Sequence, residues 1–404
     1  MIVIAGGDVV LPDRILPSAS LLIDGTRIAA VEPAARVDSA GARTIAAADC
    51  YVVPGFVDVH VHGVQGHDTL NEGNPVAAIA ALLPSYGVTS FCPTTVACPP
   101  EALRGVLQQI AVLRATRPSA SARVLRAHLE SNFINPEYRG AQPAACLRIP
   151  GPATSGTHEM VRDGEFSAGD ILDVIAGARH DVGIVTLAPE LPGGIDLVRT
   201  LVAAGHRVSI GHSGASFEEA VAAIDAGARH ATHLFNRMAP ITHRAPGIAG
   251  AVLAREEIAA ELICDGYHVH ASMSRIAIAS KGTARIMAIT DGTAGAGMDA
   301  GSTAMLGGRR IRVTDQAAIL DDGTLAGSTL TMDRAFATIV NSFGFSVIEA
   351  SAMCSATPAR ELGLTGFGTI AEGSVADLVI LDRQFRVVAT LIAGEEVYRS
   401  GTEA

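Results

Sequence analysis

The sequence lacks several features that mark common classes of protein. No apolar run approaches the roughly 18 residues that a membrane-spanning helix needs. No block of basic residues occurs in the chain, whose formal net charge is −11. The acidic balance disfavours nucleic acids and anionic membrane surfaces as partners. The pattern GxxxxGK[ST], which a phosphate-binding P-loop requires, is also absent.

Paired cysteines and a secretion signal are missing as well. The six cysteines are scattered and form no CxxC pair, so we interpret them as reduced thiols in a core. The first residues, MIVIAGGDVVLPD, have neither the basic start nor the long apolar segment of a signal peptide. We therefore expect a cytoplasmic protein.

The chain contains enough apolar residues for a large core and a smaller second unit. Its 404 residues are 49% hydrophobic and 18% charged, which is typical of a globular protein. Short strand-like runs broken by turns occupy both ends of the chain. We expect residues 1–53 and 355–404 to form one small β-sandwich domain, and residues 54–354 to form the catalytic domain.

The middle of the chain alternates short apolar strands with alanine-rich helices. Eight such strands within this length predict a (β/α)8 barrel, whose functional sites lie at the carboxyl ends of the strands. The predicted strands are Phe56–His62, Val88–Thr94, Val124–Glu130, Val182–Leu187, Val208–His212, Ala231–Leu234, Ala259–Asp265 and Ile286–Asp291.

Two histidines end the first of these strands. His60 and His62 are two positions apart, so on a strand they point to the same face, and Gly63 lets the chain turn away. Two imidazoles in this arrangement can converge on one metal ion. The pattern therefore indicates metal-assisted hydrolysis.

Other polar residues occupy further predicted strand ends. One histidine at a strand end is more often an ordinary polar residue than a ligand. Several imidazoles and carboxylates at the mouth of one barrel would be costly to bury unless a metal satisfied them. These residues are His128, Glu130, His212, His233 and Asp291.

Nearby polar residues allow more than one interpretation. Asp58 precedes His60 on the same face and could accept a hydrogen bond from a ligand imidazole, or it could cap a turn or pair locally. Thr186 and Glu190 are more simply structural residues. His230 precedes the sixth strand, and we expect it to face solvent.

The motifs together resemble those of the N-acetylglucosamine-6-phosphate deacetylase family of the amidohydrolase superfamily. They occur in that family's order over nearly the full chain, from about residue 50 to 382. The motifs are PGFVDVHVHG, HLE followed by FINPEYRGA, SIGHS, THLFNRM, HR-x-PG, CDGYHV, ITDG, LAGSTLTMD and ADLV-x-LD.

The resemblance implies a distorted (β/α)8 barrel and assigns roles by position. Glu130, His212 and His233 are the implied ligands of a main metal ion. His60 and His62 would hold a second ion, with Glu130 bridging the two. Asp291 is the implied catalytic acid and base.

The resemblance also implies a substrate site shared between subunits. Asn236, Arg244 and His268 match contacts to the sugar phosphate. His243 matches a common histidine beside that arginine. Neighbouring subunits contribute to the substrate site in this family, so we expect a homodimer.

This chain departs from the usual family motifs close to the substrate. Ser131-Asn132 replaces Gly-Pro, Gln142 replaces a histidine that touches the N-acetyl carbonyl, and Arg237 replaces an alanine. The usual His-Ser-Asp-Ala or His-Thr-Asp-Ala is His212-Ser213-Gly214-Ala215 here, so Gly214 replaces the aspartate. We predict contacts of Gln142 and Arg237 with the substrate.

Three functional hypotheses follow. The first is a metal-dependent amide hydrolase that removes acetate from an N-acetyl amino sugar 6-phosphate. It would use one or two divalent ions, which these ligands allow to be Zn, Fe, Mn, Co or Ni. The second is a sister amidohydrolase for another N-acyl or cyclic amide, with Arg237 binding a carboxylate. The third is a binding protein without catalysis, which the intact ligand set disfavours.

Overall fold

A computed structural model describes residues 1–33, 41–151 and 165–401 of the protein. Parts of the predicted domain segments, residues 34–40, 152–164 and 402–404, lie outside the described residues. The exact domain boundaries stay a prediction.

Both ends of the chain contribute to one eight-stranded sheet. The two ends of the chain meet in the middle of this sheet. There β5 (Tyr51–Pro54) pairs antiparallel with β20 (Leu378–Leu381), and Val53 lies opposite Val379. Ile4, Leu21 and Ile380 lie in one shared apolar core, so the small domain needs both ends of the chain. The strands are β1 (Ile2–Val10), β2 (Ile15–Asp24), β3 (Arg27–Pro33), β4 (Arg43–Ala46), β5 (Tyr51–Pro54), β20 (Leu378–Leu381), β21 (Val387–Ile392) and β22 (Glu395–Arg399).

Eight parallel strands form the predicted barrel, and the predicted fold class is confirmed. Each strand pairs with the next in chain order, and the short β10 (Arg123–Val124) pairs with the second. The barrel strands are β6 (Phe56–Val61), β9 (Val88–Thr95), β11 (Ala127–Glu130), β12 (Val182–Leu187), β13 (Arg207–Ile210), β14 (His230–Ala231), β15 (Ala259–Ile263) and β16 (Ile286–Ile289).

The barrel closes between its first and last strands. The backbone N–H of Asp291 donates to the carbonyl of His60 at 3.0 Å. The N–H of His62 donates to the carbonyl of Gly292 at 2.8 Å. Because these bonds lie at the carboxyl ends of both strands, closure of the barrel places the side chains of His60, His62 and Asp291 beside one another.

Amphipathic helices cover the outside of the barrel. Several begin with a serine that caps the first turn, as Ser216 does by accepting from the N–H of Glu219. The helices are α1 (Pro75–Leu82), α2 (Pro100–Thr116), α3 (Ala168–Gly177), α4 (Gly194–Ala203), α5 (Phe217–Asp225), α6 (Gly247–Ala254), α7 (Ala271–Lys281), α8 (Met332–Asn341), α9 (Val347–Ser351) and α10 (Thr357–Glu361). None of the helices in the described ranges has both the length and the apolar character needed to cross a membrane.

Two small antiparallel sheets lie outside the barrel. A hairpin of β7 (Gly63–Val64) and β8 (His67–Asp68) follows the first barrel strand. A three-stranded sheet of β17 (Thr303–Leu306), β18 (Arg309–Val313) and β19 (Ala318–Leu320) follows the last one. Leu306 of this sheet packs in an apolar cluster with Val96, which follows β9.

The barrel strands are shorter than predicted at several carboxyl ends. The fifth, sixth and eighth strands end two or three residues early, because the backbone leaves the extended conformation there. His212, His233 and Asp291 have φ angles of 49°, 28° and 48°. Residues other than glycine rarely adopt positive φ, and such residues cluster at functional sites. The apolar pattern continues past these turns and cannot reveal them.

The prediction that His230 faces solvent is wrong. His230 is the first residue of β14 and is fully buried. Its strand lies between β13 and β15, opposite Ser209 and Ala259. Neighbouring strands on both sides exclude solvent from this position.

Candidate active site

The carboxyl ends of the barrel strands bring the predicted metal ligands and the predicted catalytic aspartate together. All six side chains are ionisable, yet each is at least nine-tenths buried. They form two groups that meet at one carboxylate. The residues are His60, His62, Glu130, His212, His233 and Asp291.

The first ligand group consists of Glu130, His212 and His233. The Nε2 atoms of His212 and His233 lie 2.7 Å and 2.8 Å from Oε1 of Glu130. The two nitrogens lie 3.0 Å from each other. Three potential ligand atoms therefore face one point.

The second ligand group consists of His60, His62 and Asp291. The Nε2 atoms of the two histidines are 3.2 Å apart. They lie 3.3 Å and 3.4 Å from Oδ1 of Asp291. This group is looser than the first, and its members come from the two strands that close the barrel.

Glu130 lies between the two groups. Its Oε1 faces the first group, while its Oε2 lies 3.5 Å from Nε2 of His62. A carboxylate with one oxygen toward each group has the geometry of a bridging ligand. This arrangement suits two adjacent cations.

The hydrogen bonds of the outer imidazole nitrogens fit a metal site. Nδ1 of His60 faces the carboxylate of Glu261 at 2.9 Å, and Nδ1 of His212 faces the carbonyl of Tyr138 at 2.8 Å. Each acceptor requires the proton on Nδ1, which leaves the lone pair of Nε2 directed into the cluster. Converging lone pairs repel one another unless a cation or a proton lies between them. The residues present therefore fit a divalent ion.

Protons balance the charge of the cluster when no metal is bound. Burial lowers the pKa of His62, but hydrogen bonds and charges of Asp291 and Glu130 outweigh it and raise this pKa to about 10. For His233, burial is likewise outweighed by Glu130, and the pKa rises to about 9. Burial dominates at His60 and lowers its pKa to about 4. Two of the imidazoles thus hold positive charge where a cation would sit.

A cavity of about 280 Å³ opens directly above the ligand groups. Its lining combines apolar residues, among them Leu306 from the sheet after the last barrel strand, with polar and charged ones. The lining residues are His62, Val96, Glu130, Ala141, Gln142, His212, His233, Phe235, Asn236, Arg237, His268, Asp291, Leu306, Leu325 and Gly327.

Four of the predicted substrate contacts line this cavity. His268 is held by Asp265, whose Oδ2 lies 2.6 Å from its Nδ1, while its Nε2 is buried without a hydrogen-bond partner among the described residues. Arg237 is exposed and passes over Gly140, where a Cβ would lie 2.5 Å from its Nε. Asn236 points its amide at the carbonyl of His233, at 3.3 Å.

Gln142, the fourth, has both ends of its amide engaged by the protein. Its Oε1 accepts from the N–H of Ala97 at 2.7 Å, and its Nε2 donates to Oε2 of Glu130. It therefore holds the carboxylate of Glu130, and its amide reaches a substrate only after one of these bonds is released.

The remaining two predicted contacts lie elsewhere. His243 and Arg244 are exposed residues of the loop before α6, and neither lines the cavity. The structure of the single chain does not bring them to the site.

Two buried carboxylates, Asp58 and Glu261, lie beneath the ligands and make different contacts. Asp58 accepts from Oγ1 of Thr290 at 2.6 Å and from the N–H of His60 at 3.3 Å, so it fixes backbone and not an imidazole. Glu261 contacts the imidazole of His60 instead. The sequence analysis missed Glu261, although one acidic residue within the apolar run of β15 was a usable signal.

Comparisons with known proteins agree with this geometry. The family model described as "Amidohydrolase family" matches residues 51–397. N-acetylglucosamine-6-phosphate deacetylase of Rattus norvegicus is 38% identical over 362 residues, covering 86% of this chain and 84% of that protein. N-acetylgalactosamine-6-phosphate deacetylase of Escherichia coli O157:H7 is 34% identical over 345 residues, covering 85% of this chain and 86% of that protein.

Solved structures show the same similarity. A mutant N-acetyl-D-glucosamine-6-phosphate deacetylase from Mycobacterium smegmatis, in complex with N-acetyl-D-glucosamine-6-phosphate, matches with a TM-score of 0.85 and 31% identity. The match covers 98% of this chain and 99% of that one. This chain therefore belongs to the amidohydrolase family and, within it, to the N-acetylglucosamine-6-phosphate deacetylases.

Proposed function

We propose that this protein removes the acetyl group from an N-acetyl amino sugar 6-phosphate and releases acetate and the amino sugar phosphate. The observation that carries the proposal is the cavity itself. Its base holds the two ligand groups, and its rim holds Arg237 and His268. The relatives named above act, by their names, on sugars of this class.

The ligand groups would hold one or two divalent ions. Glu130, His212 and His233 would bind the first, and His60, His62 and Asp291 would bind the second, with Glu130 shared. A divalent ion bound here polarises an amide carbonyl and makes water a stronger nucleophile near neutral pH. Histidine and carboxylate ligands accept Zn, Fe, Mn, Co or Ni.

Asp291 would transfer the proton during hydrolysis. Burial raises its pKa, but the neighbouring imidazoles of His60 and His62, and a hydrogen bond accepted from His62, outweigh burial and lower this pKa. The side chain is thus a carboxylate able to take a proton from the attacking water. It would then return that proton to the nitrogen of the leaving amine as the C–N bond breaks.

The rim of the cavity would bind the sugar phosphate. Arg237 has no acidic partner among the residues that the structure describes, and Nε2 of His268 lacks a hydrogen-bond acceptor there. A guanidinium and an imidazole can both donate to phosphate oxygens, and the arginine can do so with two N–H groups. Asn236 also lines the cavity and would contact the sugar.

A homodimer would complete this rim. His243 and Arg244 are basic, exposed and outside the cavity of their own chain. Ile241 in the same loop is 41% exposed and would be covered by contact with a partner subunit. We propose that this loop reaches the cavity of a partner subunit.

We propose that the enzyme is cytoplasmic, because its cysteines form no disulfides. All six cysteines are free, four of them buried. Reduced, unpaired cysteines are typical of cytosolic proteins.

An activity screen tests the proposed function. Purified enzyme with added Zn²⁺ would be assayed for acetate release from N-acetylglucosamine 6-phosphate, N-acetylgalactosamine 6-phosphate and the two unphosphorylated sugars. We expect the phosphorylated substrates to have much higher kcat/KM. Hydrolysis of other N-acyl or cyclic amides, with none of the amino sugars, would favour the sister-amidohydrolase hypothesis, in which Arg237 binds a carboxylate.

A further inference from the structure

Glu261 is a buried carboxylate that the proposed reaction does not use. It lies in the middle of β15, and its side chain is fully buried. Its neighbours in the strand are alanine, leucine and isoleucine. An ionised group at this depth is costly unless it is paired and hydrogen-bonded.

The contacts of Glu261 lead to one side chain of the candidate active site. Its Oε2 accepts from Nδ1 of His60 at 2.9 Å and from the backbone N–H of His233 at 3.4 Å. Its Oε1 has no hydrogen-bond partner among the described residues. His128 is 3.8 Å away, but its Nδ1 is already 2.9 Å from the carbonyl of Val59.

This contact fixes which nitrogen of His60 is free. A carboxylate at Nδ1 requires the proton there, so Nε2 keeps its lone pair and faces His62 and Asp291. The negative charge of Glu261 also makes Nε2 a stronger donor to a cation. The other tautomer would put a proton on Nε2, directed at Asp291, and the ligand position would be blocked.

Among the described residues, no carboxylate contacts an outer imidazole nitrogen of the first ligand group. The outer nitrogen of His212 faces a neutral carbonyl, that of Tyr138. The outer nitrogen of His233 has no partner in the described part of the chain, and Glu261 reaches only its backbone N–H. The contact of a carboxylate with an imidazole is therefore made to the second group, whose atoms are also the more widely spaced.

We propose that Glu261 is a positioning residue for a second divalent ion, which it secures by orienting and charging His60. The inference rests on the proposed metal site and adds a statement about it. Occupancy of the position formed by His60, His62 and Asp291 depends on Glu261, while occupancy of the position formed by Glu130, His212 and His233 does not.

Zinc titration of the full chain tests this proposal. Metal-free protein would be titrated with Zn²⁺ against a chromophoric chelator, and zinc per chain would be measured by elemental analysis. Glu261→Gln keeps the shape of the side chain and an acceptor for the N–H of His233, but it loses the charge. We expect two ions in the wild type and, in Glu261→Gln, one ion weakened about 10- to 100-fold with the other unchanged.

Three further variants complete the test. His60→Asn identifies the second ion, and adding Glu261→Gln to it should weaken zinc binding no further. Asp58→Asn removes the charge of another fully buried carboxylate, which contacts the backbone of His60 and the hydroxyl of Thr290 but no imidazole. The amide oxygen can still accept from the N–H of His60, so both ions should be retained. Glu261→Asp keeps the charge but shortens the side chain, so it should also weaken the second ion and serves if the glutamine variant does not fold.

The outcomes separate this proposal from the proposed function. Equal weakening of both ions, no weakening, or the same selective loss in Asp58→Asn would overturn the role of Glu261. A wild type that saturates with one ion and deacetylates amino sugar phosphates would overturn it too, while the proposed function stands. A wild type that binds no zinc would overturn both.

Discussion

The two ends of the cavity are built differently. At the metal end, every proposed ligand comes from a barrel strand or the turn that ends it. Each is buried, and some are held by a further contact, as His212 is by Tyr138. At the rim, Arg237 and His268 come from loops, and Arg237 is exposed. Under the proposed function, the barrel would fix the chemistry, and the loops would determine which substrate reaches it.

Metal removal should produce the largest effect, since it eliminates the whole metal end. We expect dialysis against a chelator to abolish acetate release, and stoichiometric Zn²⁺ to restore it. Zinc content would be measured alongside activity. Full activity in protein shown to contain no metal would contradict the assignment of all six ligands.

Asp291→Asn should reduce kcat about 10²- to 10⁴-fold, the usual contribution of a general acid or base. The amide is close in size to the carboxylate but cannot transfer the proton. Turnover would be measured at saturating Zn²⁺, with zinc per chain as the control for lost binding. Near-normal turnover would leave Asp291 with a structural or ligand role only.

Substitutions at the rim should be weaker and selective. Arg237→Ala should raise KM for a 6-phosphate substrate about 10- to 100-fold, because a charge-assisted contact contributes about 1.5–3 kcal/mol. KM for the unphosphorylated sugar should change little. Arg237→Lys is the matched control, since it keeps the positive charge and loses the planar guanidinium with its two parallel N–H donors. Its KM for the 6-phosphate substrate should lie between those of the wild type and Arg237→Ala.

Arg244→Ala extends this comparison to the proposed partner subunit. We expect the same selective rise in KM, together with a loss of wild-type activity when the enzyme is diluted below its dimer dissociation constant. Dilution with no effect on activity would place Arg244 outside the substrate site of either subunit. Light scattering at each concentration would report the oligomeric state.

The smallest effect is a pH dependence of zinc affinity at the first ligand group. Its His233 has a pKa of about 9 without metal, above the ordinary value of about 6.5. Zinc needs the neutral imidazole, so below the raised pKa it must displace a proton. In the His60→Asn variant we expect affinity to increase about tenfold per pH unit up to about pH 9 and then level off. An affinity independent of pH would contradict the raised pKa.

The sequence predicted the metal end far better than the rim. His60 and His62 could be placed because strand periodicity puts alternate residues on one face. His212 and Asp291 could be placed because parallel strands end at the same mouth. The positive φ angles at these residues could not be foreseen, since apolar runs continue through the turns. The assigned roles of all these residues stay predictions.

The rim and the layer beneath the ligands depend on contacts between distant segments. Gln142 bonds to Glu130 and Ala97, which no local pattern indicates. Glu261 lies in a strand that is buried on both faces, so its apolar and polar residues do not alternate. The sequence therefore does not reveal which of its side chains point into the barrel. The loop of His243 and Arg244 has no periodicity at all, so its position could not be predicted.

The closure of the barrel between its first and last strands also determines when the enzyme can acquire its metal. His60 leaves the ribosome early, but its neighbour across the closure, Asp291, is among the last barrel residues to be made. The second ligand group is therefore incomplete until Asp291 is made, whereas the first has all its members once His233 is made. A divalent ion at the second group would thus bind only after synthesis of nearly the whole barrel, and a product truncated before Asp291 would lack the residue proposed to transfer the proton.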